Sequence, residues 1–292
     1  MKSLSASALF LVIGFAICGA AAGAPAKPNP DALWVAAEKG DVATVKKFLD
    51  GGGSPNAADS NKLTLLNWAA YGGQLDLVKL LVARHADVNV QASKMGYTPL
   101  MNAAAPGFPL VAAYLLDHGA NLNLLDAEGN SALAFAAAKN RTDVVRLLLD
   151  RGADGGNALV QMVHLEKTDG LKLVLESGVD ANATPRKEEK WFRPGETALY
   201  RAAWNDKLEL ATILLDKGAN PNISTPAGGN MSTPLLIAAY RCSGPMIDAL
   251  IAHGASLTLT NASGETAHTL AETGWTSDMK PCAADILAKL GG

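Results

Sequence analysis

The 292-residue chain is 49% hydrophobic and 18% charged, and its 25 Lys and Arg against 28 Asp and Glu leave a net charge of −3. That composition excludes a chain too polar to bury a core, and it offers neither the basic footprint of a nucleic-acid binder nor the basic block that draws a protein to anionic membranes. Only 5% of the residues are aromatic, so a core must be built from small and aliphatic side chains.

The first segment differs from everything after it. Lys2 is followed by no charge until Lys27, and "ALFLVIGFAIC" (Ala8–Cys18) runs into the small residues of "GAAAGAPAKPNP". A basic start, a short apolar run and small residues predict a secretory leader over 1–22 and a linker over 23–30. Ala20-Ala21-Ala22 fits cleavage before Gly23; a cut before Pro25 is the second choice. The alternative is an uncleaved anchor, but strong apolarity lasts only about half of the ~20 residues a spanning helix needs. Bulky Ile17 argues against lipidation of Cys18. The compact leader predicts export to a bacterial periplasm, with no membrane insertion after cleavage.

From Asp31 onward one motif recurs in chain order. It is weak in "DALWVAA" (Asp31–Ala37) and clear in "LTLLNWAA" (Leu63–Ala70) and "GYTPLMNAA" (Gly96–Ala104). It continues in "NSALAFAA" (Asn130–Ala137), weakly in "NALVQMV" (Asn157–Val163), then in "ETALYRAA" (Glu196–Ala203) and "STPLLIAA" (Ser232–Ala239). "ETAHTLAE" (Glu265–Glu272) is the last, weak copy. In the clearest copy Thr98 is a helix N-cap and Pro99 fits the first helical position, where no N–H is needed. Leu100, Ala103 and Ala104 fall on one face, thin enough for another helix to come close. A second apolar-periodic run follows most copies, such as "LDLVKLLVA" (Leu75–Ala83), with Asp76, Asp143 and Glu209 placed early, where the helix dipole favours them. These runs end in glycines at 119, 152, 178, 218 and 254, spaced by 33, 26, 40 and 36 residues. Each glycine is expected at the left-handed C′ position.

A period near 33 with Thr-Pro-Leu-x-x-Ala-Ala resembles the ankyrin repeat, a β-turn finger plus two helices per unit. The resemblance implies an all-α solenoid of about eight units over 31–292. One unit cannot bury its apolar face alone; stacked neighbours make a continuous core. Two units break the period. The 26-residue step shortens the loop before "NALVQMV" to about "ADGG", which predicts a missing finger and a kink in the stack. The 40-residue step inserts "TPRKEEKWFRPGE" (Thr184–Glu196) into the next finger. Its Trp191 and Phe192, flanked by Arg193, either project as an anchor or fold back over the neighbouring gap.

No arrangement of residues carries chemistry: there is no nucleophile elbow, P-loop, zinc motif or Cys-x-x-Cys. His85, His118 and His253 recur at helix ends, where a ring nitrogen can meet the last carbonyls. The reading is a non-enzyme with no metal and no cofactor. The family resemblance places binding on the concave face, lined by the fingers and the residues after each Ala-Ala pair. Here these are Glu38-Lys39, Tyr71-Gly72, Ala105-Pro106, Ala138-Lys139, Trp204-Asn205 and Tyr240-Arg241, with Lys94, Met95 and Tyr97 on a finger. Tyr, Trp and Arg dominate interface energetics; packing against neighbouring loops is the competing role for these aromatics. Removal of the leader leaves two cysteines, Cys242 and Cys282. An even pair in an oxidising compartment suggests a disulfide across a 40-residue separation; two unrelated thiols are the alternative. The expectation is a monomeric scaffold that binds another protein in the cell envelope. The alternatives are an immunity protein against a toxin, a protective factor for a periplasmic enzyme, or an enzyme with an unrecognised site.

Overall fold

The computed structural model describes residues 31–186, 195–225, 232–273 and 281–291. The expected leader and linker lie outside the described residues, as do Trp191, Phe192 and Arg193.

Sixteen helices form among the described residues, in pairs. The first four pairs are α1 (Ala32–Lys39) with α2 (Val42–Asp50), α3 (Leu65–Tyr71) with α4 (Leu75–Ala83), α5 (Pro99–Ala104) with α6 (Pro109–Asp117), and α7 (Ala132–Ala138) with α8 (Thr142–Asp150). The next four are α9 (Gly155–His164) with α10 (Thr168–Glu176), α11 (Ala198–Trp204) with α12 (Leu208–Asp216), α13 (Pro234–Tyr240) with α14 (Gly244–Ala252), and α15 (Ala267–Thr273) with α16 (Ala284–Leu290). First helices pack on first helices from α1 through α15, and second helices form an outer layer behind them. The only β features among the described residues are two isolated bridges, Ala58 with Thr64 and Ala92 with Tyr97, which close finger loops.

The local chemistry explains the starts and stops. Thr64, Thr98, Ser131, Thr197 and Thr233 each accept the backbone N–H three residues on, as N-caps. The five repeat glycines hold φ between +85° and +90°, a region that costs residues with a Cβ. His118 and His253 each bring Nδ1 within 2.8 Å of the carbonyl four residues back, as expected of a helix end. His85 differs: it occupies the terminating position itself, at φ 63°, where the other units carry glycine. Buried Leu and Ala fill the space between the layers, with Ala37, Ala70, Ala104 and Ala137 holding the first helices close.

Neighbouring units are also stitched at their loops. The Oδ1 atoms of Asn56, Asn89, Asn123, Asn182 and Asn222 each accept a backbone N–H from the following unit, at 2.7–3.2 Å. Asn89, Asn182 and Asn222 also donate through Nδ2 to the carbonyls of Gly119, Gly218 and Gly254.

The fifth pair departs from the sequence expectation. The "ADGG" stretch is not a shortened loop: Gly155 and Gly156 are the first two residues of α9, capped by Asp154 through the N–H of Asn157 at 3.1 Å. The backbone of Thr184 lies where a Cβ on Gly156 would stand, so this helix start tolerates no side chain there. Gly170 lets α10 slide inward onto α7, a packing the other pairs do not repeat to this extent. A Cβ on Gly170 would stand 2.6 Å from Met162 Sδ and 2.7 Å from the Ala137 carbonyl oxygen. The expected break in the stack therefore takes the form of a shift of α10. The described start of the insert folds back onto it: Arg186 donates from its backbone to Asp154 Oδ2 at 2.7 Å and from Nη1 to the Gly152 carbonyl at 3.1 Å.

At the far end Cys242 and Cys282 are joined by a disulfide, with Cα atoms 5.3 Å apart. Cys242 follows α13 at φ 55°. Cys282 lies two residues ahead of α16.

Candidate partner-binding face

The first helices and the finger loops make up one face of the stack. Asp59 shapes the finger before α3. Its Oδ1 accepts the N–H groups of Asn61 at 2.8 Å and Leu63 at 2.9 Å, and its Oδ2 accepts Trp68 Nε1–H at 3.1 Å. Trp68 is thereby fixed between finger and helix. Tyr71 meets it edge-on, with ring centroids 6.4 Å apart and planes at 89°. Tyr71 is still 50% exposed. An amphipathic ring held against a fixed indole loses little entropy on contact with a partner.

The next finger is a closed platform. Ala92 and Tyr97 exchange both backbone hydrogen bonds at 2.8 Å, and the Met95 carbonyl accepts Ala127 N–H at 2.7 Å. Gln91 Nε2 donates to the Leu125 carbonyl at 2.9 Å. Two consecutive fingers are thus tied together. Lys94 is exposed at the tip, while Met95 and Tyr97 are half-buried. The Tyr97 ring lies edge-on to Phe135, with centroids 5.7 Å apart. Burial, reinforced by Asp126 and Glu128, pushes the Tyr97 hydroxyl above its ordinary pKa, so it stays protonated.

Further along, Trp204 stacks on the buried Tyr200, with centroids 6.3 Å apart and planes at 19°. Glu196 is 1% exposed and held by Arg201, with Nε–Oε1 at 2.6 Å and Nη2–Oε2 at 3.0 Å. His164, at the end of α9, is held below its ordinary pKa by partial desolvation and the charge of Arg201, against the opposing pull of Glu128 and Glu196. Tyr240 is half-buried against the core, and Arg241 beside it is exposed.

Of the expected contact residues, Tyr71, Lys94 and Arg241 are thus exposed, and Met95, Tyr97, Trp204 and Tyr240 are half-buried. Trp191, Phe192 and Arg193 lie outside the described residues. The structure adds Trp68, Phe135 and Arg201, which precede their Ala-Ala pairs and bear on the same face. Their signal was present in the sequence: that position is Trp, Asn, Phe, Arg or Ile between otherwise uniform neighbours.

A three-copy ankyrin-repeat family model matches residues 8–92 and again 91–158, and a single-repeat ankyrin model matches 194–226. The chain belongs to the ankyrin-repeat family. The first match begins inside the apolar segment expected as a leader. Ankyrin repeats generally mediate protein–protein interaction and are typically non-catalytic. A putative ankyrin repeat-containing protein of Treponema pallidum is 35% identical to this ankyrin chain over 39% of each sequence. A palmitoyltransferase of Lachancea kluyveri is 34% identical over 34% of this chain and 14% of its own length. A phosphocholine transferase of Legionella pneumophila is 27% identical over 74% of this chain and 19% of its own. The chain spans well under half the length of each, so neither transferase activity is carried over. No helix among the described residues is long and apolar enough to cross a membrane.

Proposed function

We propose that this chain is an exported, non-catalytic ankyrin scaffold of about eight units that binds another protein in a bacterial cell envelope. The observation that carries the reading is the half-exposed Tyr71 on its Trp68 buttress. Lys94, Met95 and Tyr97 belong to a finger whose backbone is already tied down. Preorganised aromatic and cationic side chains on a rigid face favour affinity, because little freedom is lost on contact. Residues 1–22 act as the leader, 23–30 as a linker and 31–292 as the binding domain. The pairing of Cys242 with Cys282 supports an oxidising compartment, where such a bond persists.

Site-specific photocrosslinking in envelope preparations tests the face. A crosslinker at Lys94, on the finger tip, is expected to trap a discrete partner, and one at Asp143, exposed near the start of outer helix α8, is not. Equal products from both positions, or products from Asp143 alone, overturn the reading. N-terminal sequencing of the same material is expected to begin at Gly23. An intact Met1 in soluble cytoplasmic protein contradicts export.

A further inference from the structure

The loop stitching fails at one junction. Position 156 is where the pattern of Asn56, Asn89, Asn123, Asn182 and Asn222 calls for the next asparagine, and it is Gly156. Without that side chain, the Gly178 carbonyl and the Asp180 N–H make no hydrogen bond among the described residues. In three other units an Asn carboxamide satisfies both counterparts, as Asn89 does for Gly119 and Asn121.

A second link, made at some of the other junctions, is also missing here. At two junctions the residue capping a second helix is an arginine that reaches back to the Asp ending the previous second helix, and at a third a histidine does so. Arg84 meets Asp50 at 2.9 Å, Arg151 meets Asp117 at 2.8 Å, and His253 meets Asp216 at 3.3 Å. The cap of α10 is Ser177, whose hydroxyl turns inward to the Leu173 carbonyl at 2.8 Å. Asp150, which ends α8, has no cation within salt-bridge range among the described residues and is exposed.

Both vacancies open into one cleft. Because α10 has moved onto α7, the ends of α8 and α10 part, leaving about 390 Å³ lined by Asp150, Gly156, Ser177, Gly178, Asp180 and Arg186 among others, with the Arg186 guanidinium already held by the Gly152 carbonyl. That size lies at the lower end of ligand clefts. Its free groups are a carboxylate and a backbone carbonyl, at the carboxyl ends of two helices, whose dipoles favour positive charge. We propose that the cleft takes a cationic side chain, an arginine foremost, presented by the protein partner. This rests on the reading of the chain as a partner-binding scaffold. A guanidinium has donors for both the Asp150 carboxylate and the Gly178 carbonyl. The peptide carbonyl of the same residue can accept the Asp180 N–H. The cleft thus supplies to a partner the recognition that the neighbouring units use internally.

The test is a titration of the full mature chain with N-acetyl-arginine amide, followed by amide NMR. Saturable millimolar binding is expected, moving the Gly178 and Asp180 signals, with N-acetyl-citrulline amide as the uncharged comparison showing none. Asp150→Asn should weaken binding at least fivefold. Ser177→Arg, which places there the arginine found at the caps of α4 and α8, should abolish it. Absence of binding by the unaltered chain, or binding unaffected by either variant, overturns the proposal. Binding that appears only after Lys187, Lys190 and Arg193 are all changed to Gln means that the chain fills the cleft itself, which also overturns it. Failure here, with Lys94 still crosslinking to a partner, removes the cleft and leaves the scaffold reading standing. Probe binding without that crosslink does the reverse.

Discussion

His164 ties a single side chain to a measurable property of the fold. Partial desolvation, and after it the charge of Arg201, hold its imidazolium form at a disadvantage, so its folded pKa lies below the ordinary 6.5. Between those two values the unfolded chain binds more protons than the folded one, and stability rises with pH across that window. Denaturation midpoints of the unaltered protein are expected to fall as pH drops below about 6.5 and to level off beneath the folded pKa. His164→Gln should lose that component of the fall. Identical pH profiles for the two proteins would contradict the assignment. Residue-level chemistry was only partly legible in the sequence. Capping by Thr98 followed from its spacing to Pro99 and Leu100. The neighbours of His164 did not, because Glu128, Glu196 and Arg201 are brought to it by the stacking of units, and no local pattern records that.

At the level of the element, α10 shows what one glycine permits. Gly170 sits in a helix interior, where alanine is ordinarily better by about 1 kcal/mol. Here the added methyl would press on Met162 Sδ and on the Ala137 carbonyl. The thioether can rotate away; the carbonyl belongs to the α7 backbone and cannot. Overpacking of this kind costs about 1–3 kcal/mol. Gly170→Ala is therefore expected to lower the melting temperature, with α8, α9 and α10 losing hydrogen-exchange protection first. An unchanged or higher melting temperature would show that the α7–α10 approach is not close. The paired helices and their glycine stops were legible because capping residues, apolar spacing and C′ glycines act locally. The helical state of Gly155-Gly156 was not. Two glycines read as a loop, and what turns them into a helix start is Asp154 as the cap together with Thr184, nearly thirty residues downstream, filling the space above them.

Across the whole molecule, a stack whose units touch only their neighbours loses order from its ends. The bond between Cys242 and Cys282 fastens α15 and α16 to the unit before them, across a 40-residue separation. On the chain-entropy model such a closure contributes about 4 kcal/mol. In a linear array that contribution is local. Reduction is expected to raise exchange over α15 and α16 while α3 through α9 keep their protection; a uniform change, or none, would contradict the picture of a fastened end. The sequence revealed the two cysteines and their separation, but not that the turn after α13 and the approach to α16 bring them within bonding distance. The claim the rest depends on is that the face of first helices and fingers binds a protein partner, with Tyr71 as an anchor. The affinity of the crosslinked partner, measured by calorimetry for the unaltered chain and for Tyr71→Ala with thermal melts alongside, tests it most directly. Loss of a half-exposed anchor is expected to weaken binding about 30-fold, or ~2 kcal/mol, with the melting temperature nearly unchanged. Equal affinities for the two proteins, at equal stability, would contradict the account.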